Sequence, residues 1–124
     1  MGKKVILAVD DEKDVLVLLS KRLMSAGYDV VTKTSGNAAI EAAKQEKPDL
    51  IILDILMPEM DGSQVASILH QDPLTRDIPI LFLTCLYTKR EEKISGHEVG
   101  HNFFIAKPYD PAELLEEIAR LINH

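Results

Sequence analysis

Four apolar runs in this sequence end on residues that can do chemistry. Val5–Val9 is followed by Asp10, Asp11 and Glu12, Leu50–Leu53 by Asp54, Ile80–Leu83 by Thr84, and Phe103–Ala106 by Lys107 and Pro108. In open parallel sheets ligands sit beyond the carboxyl ends of the strands, so acids, a hydroxyl and an ammonium placed there are candidates for one site. Carboxylates held that close repel one another, and the array needs either altered protonation or a cation. A hard divalent ion meets that need: Mg²⁺ takes a few carboxylates and keeps waters that a phosphate can share, and Mn²⁺ is expected to substitute for it. A lysine is the complementary point charge for a phosphoryl oxygen, and a threonine hydroxyl can donate to another. A carboxylate can itself attack phosphorus and form an aspartyl-phosphate, with catalysis then resting mostly on positioning and electrostatics.

These residues meet only if the intervening elements bring them together. Val5–Val9 is continuously apolar, the mark of a strand covered on both faces. Val15, Leu18, Leu19, Arg22 and Leu23 follow helical spacing, with Gly27 as a stop. Asp29–Lys33 is polar at both ends and reads as an edge strand. Ser35 is a good N-cap for a second helix through Ala39, Ile40 and Ala43 that ends before Pro48. After the strand Leu50–Leu53, residues 54–62 form a loop with Pro58 and the turn pair Asp61-Gly62. Val65, Ile68 and Leu69 mark a third helix that stops near Asp72-Pro73. Residues 89–99 give a poor helix, since Ser95, Gly96 and His97 all have low helix propensity. The last helix is well marked by Asp110 as N-cap, Pro111 at the first position and Glu113 at the third, with Leu114, Ile118, Leu121 and Ile122 as its buried stripe. Five strands alternating with five helices imply an α/β fold with a parallel sheet and helices on both faces. Pattern alone leaves the strand order open.

Composition bounds the rest. The 124 residues suffice for one domain, 1–124, and 46% hydrophobic with 27% charged residues reads as soluble and globular. No apolar run approaches the ~20 residues of a membrane span. The basic start gives way to an apolar stretch that ends at Asp10, which excludes a secretory signal. A lone cysteine, Cys85, fits a reducing cytoplasm. Fourteen Lys and Arg against twenty Asp and Glu, a formal net charge of −6, disfavour direct nucleic-acid binding.

Taken jointly, Asp10-Asp11-Glu12, the stretch Asp54-Ile55-Leu56-Met57-Pro58-Glu59-Met60-Asp61-Gly62, Thr84 and Lys107-Pro108 resemble the receiver (response regulator) domain of two-component signalling. The similarity spans essentially the whole chain. It implies a flavodoxin-like, doubly wound five-stranded parallel sheet of order 2-1-3-4-5. It makes Asp54 the phosphoacceptor, supplied by a histidine kinase or a histidine phosphotransfer protein. Asp10, Asp11, Asp54 and the backbone carbonyl of Leu56 would hold Mg²⁺, and Thr84 and Lys107 would contact the phosphoryl group. Phe104 falls where the family carries an aromatic switch residue that works with Thr84, and the Lys107–Pro108 peptide is expected to be cis. Phosphorylation would then change affinity for an output partner, with no turnover of external substrates.

Each residue also has a blander reading. Asp54 alone is a turn former, Asp10 and Asp11 can cap the first helix, and Phe104 can be plain core. The joint spacing favours the functional roles, except that Glu12 reads as solvated. Cys85 reads as a small hydrophobe, and His70, His97, His101 and His124 as solvated histidines rather than ligands. The irregular stretch 86–102 departs from the amphipathic helix that receivers often carry there. Two other classes share some features: a non-phosphorylated interaction module of the same fold, and a Mg²⁺-dependent phosphohydrolase with an aspartyl nucleophile. The hydrolases usually place a second Asp two residues after the first, where this chain has Leu56. A nucleotide- or flavin-binding domain fits less well, because the loop after the first strand is acidic and lacks phosphate-cradling glycines.

Overall fold

The apolar runs form strands and the amphipathic stretches pack over them. The computed structural model describes residues 3–55, 57, 60–84, 98–99, 102–106 and 109–122, and at 84, 98, 99, 102, 104 and 106 it describes the backbone alone. In chain order the elements are β1 (Val5–Val9), α1 (Lys13–Ser25), β2 (Asp29–Lys33), α2 (Gly36–Glu46), β3 (Leu50–Leu53), α3 (Gly62–Gln71), β4 (Ile80–Thr84), β5 (Glu98–Val99), β6 (Asn102–Ala106) and α4 (Pro111–Ile122).

The strands lie in the order β2-β1-β3-β4-β6-β5. All neighbours are parallel except β5 and β6, which pair antiparallel through Glu98 with Phe103 and Val99 with Asn102. The five parallel strands, counted without β5, therefore follow the expected 2-1-3-4-5, and β2 is the edge strand its polar ends suggest. The short antiparallel β5 extends the expected five-stranded parallel sheet at its β6 edge, and it takes in the last two residues of the stretch 89–99 read as a poor helix. Residues 98 and 99 belong to the sheet, and 89–97 lie outside the described residues. The sequence has a physical reason for this: only Gly100 and His101 separate Val99 from Asn102.

Alternation of side chains along each strand splits the core in two. Leu7 and Val9 of β1, Ile51 and Leu53 of β3, and Ile80 and Phe82 of β4 pack with α2 and α3. Their neighbours Ile6, Ala8, Leu50, Ile52, Leu81 and Leu83, joined by Ile105 of β6, pack with α1 and α4. Each central strand is thus apolar throughout because both of its faces are covered.

Local chemistry sets the helix ends. The Ser35 hydroxyl accepts the Ala38 N–H at 3.2 Å and starts α2. Beyond α1, Gly27 has φ +100°, and the N–H groups of Gly27 and Tyr28 donate to the carbonyls of Met24 and Leu23. That is the left-handed glycine stop expected from the sequence. The buried stripe of α1 is Leu16, Leu19 and Leu23, whereas Leu18 is 52% exposed even though it shares the helical spacing. Among the described residues no helix is long and apolar enough to cross a membrane.

The two adjacent leucines of α1 give a direct check on this packing. Leu19→Ala, at a site 2% exposed, is expected to lower unfolding stability by about 2–5 kcal/mol. Leu18→Ala is expected to stay within roughly 0.5 kcal/mol of wild type, both read from urea midpoints.

Candidate functional site

The register of the sheet decides which strand ends meet. Val9 of β1 is paired with Leu53 of β3, and Leu53 with Phe82 of β4. Val9 and Leu53 face the same core, so the residues that follow them, Asp10 and Asp54, leave the sheet side by side with the same parity. The Asp54 N–H donates to the Val9 carbonyl at 3.2 Å, and the Asp10 N–H donates to the Lys33 carbonyl at 3.3 Å. Both acids are buried, Asp10 at 4% and Asp54 at 8% exposure, and with Thr75 they are the only buried polar residues among those described.

Asp10 also organises the start of α1. Its Oδ1 accepts the Glu12 N–H at 2.9 Å. Glu12 occupies the N-cap position without a side-chain cap bond, so neither Asp11 nor Glu12 caps the helix. Asp11 and Glu12 are exposed, and one carboxylate oxygen from each of Asp10, Asp11 and Glu12 lies within 4.8 Å of the others. Glu12 is exposed, as read from sequence, and also stands in the acidic cluster. Asp54 is not one of that trio; it borders the cluster from the next strand.

Further along the edge, Thr84 pairs with Ala106, the residue before Lys107. The backbones of Thr84 and Phe104 thus lie in β4 and β6, beyond β3 from Asp10. The side chains of Thr84 and Phe104 lie outside the described residues. So do Leu56 with its carbonyl, Cys85, His97, His101, Lys107, Pro108 and His124, and therefore the cis Lys107–Pro108 bond. Of the histidines, His70 is placed in the last turn of α3.

The loop after Asp54 is tied back onto the sheet. Met57 is buried in the core beneath α2 and α3, and the Ile55 carbonyl accepts N–H groups from both Met57 (3.1 Å) and Gly62 (2.8 Å). Asp61 is the N-cap of α3. Its Oδ1 accepts the Ser63 hydroxyl at 2.6 Å and the Gln64 N–H at 3.0 Å, and the Gln64 side chain accepts the Asp61 N–H at 3.1 Å. The Ser63 hydroxyl first, and then the Gln64 amide, hold the Asp61 carboxyl below its usual 3.8. This reciprocal cap was readable as Asp-x-x-Gln before an apolar-periodic stretch, although the pair Asp61-Gly62 read more simply as a turn.

The donor set fits a hard divalent cation. It offers only carboxylate oxygens, two of them from the buried acids Asp10 and Asp54. Asp10, Asp11 and Asp54, with Glu12 beside them, are the described residues that could hold such an ion.

Comparisons with known proteins show the family. The model of the response regulator receiver domain family matches residues 6–119. The alkaline phosphatase synthesis transcriptional regulatory protein PhoP of Bacillus subtilis is 41% identical over 125 residues, covering 99% of this chain and 50% of that protein. The chain spans about half the length of the curated transcriptional regulators it matches. Among solved structures, the chemotaxis protein CheY4 of Vibrio cholerae superposes with a TM-score of 0.83 at 33% identity, covering 97% of this chain and 99% of that one. The receiver domain of the sensor histidine kinase PA1611 of Pseudomonas aeruginosa has a TM-score of 0.82 at 28% identity over the full length of both chains, and it carries a magnesium ion in its active-site cleft.

The Asp61 cap carries a pH signature. A depressed carboxyl value in the folded state adds stability that is present above the unfolded value and lost as pH falls through the folded one. Wild type is therefore expected to lose stability below about pH 3.8 more steeply than Asp61→Asn, which keeps a cap acceptor that does not titrate. Urea midpoints of the two proteins from pH 6 down to about pH 3 check this: the difference should be flat above about pH 5 and should move against wild type below it.

Proposed function

The chain belongs to the response regulator receiver family, and from that premise we propose that Asp54 is its phosphoacceptor, in a site that works with Mg²⁺. The observation that supports this most is the burial of Asp10 and Asp54 side by side at the ends of the registered strands β1 and β3, with Asp11 and Glu12 at the rim. On this proposal Asp54 would be the nucleophile and the neighbouring acids an anionic seat for a cation.

In this reading a carboxylate oxygen of Asp54 attacks the phosphorus of a phosphohistidine. The new P–O bond forms as the P–N bond breaks, and the departing imidazole takes up a proton. Asp10 and Asp11, together with Asp54 and the Leu56 carbonyl, would hold the cation, which when bound would supply charge neutralisation for the phosphoryl oxygens. The magnesium of the Pseudomonas relative supports that choice of ion, and Mn²⁺ is an acceptable substitute. Asp10 also serves the Glu12 N–H, so its carboxylate is fixed before the ion arrives. Thr84 and Lys107 take the phosphoryl contacts that the family motif assigns to them, and Phe104 with Thr84 carries the switch. The partners are a histidine kinase or phosphotransfer protein upstream and an output partner or domain downstream, in the cytoplasm. The chain would act as a signalling domain without turnover of external substrates.

The test is intact mass after incubation with acetyl phosphate. With Mg²⁺, wild type is expected to gain one phosphate, and Asp54→Asn, or wild type in EDTA, is expected to gain none. An adduct of equal yield in Asp54→Asn, or continuous phosphate release over many turnovers, would contradict the proposal.

A further inference from the structure

Gly62 is packed against the backbone of the residue proposed to be phosphorylated. A Cβ added to it would overlap the carbonyl oxygen of Asp54, and would lie 2.9 Å from Ile55 Cα and 3.0 Å from the Asp54 carbonyl carbon. The obstructing atoms are main chain at the end of a central strand, so no side-chain rotation relieves the overlap. Nor can α3 simply retreat, because the Gly62 N–H donates to the Ile55 carbonyl at 2.8 Å. Close approach and hydrogen bond together hold the first turn of α3 against the Asp54–Ile55 segment.

The turn is itself held on three sides. The Asp61–Gln64 reciprocal cap and the Ser63 hydroxyl fix its internal geometry. Beneath it, Val65 is fully buried in the core shared by α2, α3 and the sheet. Across from it, the close approach of Gly36 to Val65 and Met60 brings the start of α2 against α3 and the preceding loop. A rigid element pressed on a strand end is what a site needs if its carboxylate must stay within a fraction of an ångström of a productive position.

We propose that the first turn of α3, through Gly62 and its cap Asp61, is a positioning element for the Asp54 carboxylate. It fixes the Asp54–Ile55 backbone against the end of β3 so that the side chain stays aligned with Asp10. Neither residue touches the phosphoryl group, and both act through the main chain of Asp54. The inference rests on the reading of Asp54 as phosphoacceptor.

The test compares four variants of the full chain for phosphorylation rate with acetyl phosphate at saturating Mg²⁺, alongside thermal melting. Gly62→Ala is expected to slow phosphorylation by at least about tenfold, since small misplacements at a reacting centre are costly in rate. Asp61→Ala is expected to slow it by roughly threefold or more, with Asp61→Asn restoring most of the rate because it keeps the cap acceptor. Ile118→Val, in the opposite core under α4, supplies a stability control and is expected to keep the wild-type rate. Should Gly62→Ala fail to fold, the Asp61 pair decides. Rates for Gly62→Ala and Asp61→Ala within twofold of wild type would overturn the inference alone. So would Asp61→Asn as slow as Asp61→Ala. A wild-type protein that takes no phosphate would overturn both the inference and the reading beneath it.

Discussion

Two carboxylates at the ends of adjacent parallel strands repel each other, and the site is organised around that repulsion. Parallel neighbours are about 4.8 Å apart. Asp10 and Asp54 are held in this relation by the Val9–Leu53 register and by the Asp54 N–H bond to Val9. The apolar alternation that builds the two cores fixes that register, so the core chemistry of β1 and β3 also sets the site chemistry. A slip of one residue would move every core side chain to the wrong face. The core therefore holds the two acids as neighbours on adjacent strands, an arrangement of carboxylates that suits a hard divalent cation.

Most of this was legible in the amino-acid order. The continuous runs Val5–Val9, Leu50–Leu53 and Ile80–Leu83 read as strands buried on both faces, and the two core clusters bear that out. Ser35 and Gly27 announced a helix start and a helix stop, and both act as read. The spacing of separate motifs carried the resemblance to the receiver family, with which the match over residues 6–119 agrees, and that resemblance in turn implied the order found for the five parallel strands. The positions of Asp10, Asp11 and Asp54 at one edge follow directly from that order.

What escaped the sequence has physical causes. Helical spacing cannot say how wide a buried stripe is, so Leu18 and Leu19 looked alike although one is half exposed. The stretch 89–99 was weak in helix propensity without being strong in strand propensity, and only pairing with Phe103 and Asn102 fixes β5. Glu12 is exposed as read, and its carboxylate's place within 4.8 Å of those of Asp10 and Asp11 depends on backbone geometry that residue order alone does not give. Gly62 was readable as a turn residue, but its pressure on the Asp54 carbonyl is a long-range contact that no local pattern encodes.

The central claim is that one cation site joins the end of β1 to the end of β3. The most direct measurement is paramagnetic broadening of backbone amide signals on addition of substoichiometric Mn²⁺. The account predicts the strongest broadening at residues 10–12 and at Asp54 and Ile55. Signals from the opposite strand ends at Val5, Asp29, Leu50 and Ile80 should stay sharp, since a five-residue strand is about 13–17 Å long. Broadening confined to 10–12 while Asp54 stays sharp, or centred on the acidic surface of α4 at Glu113, Glu116 and Glu117, would contradict it.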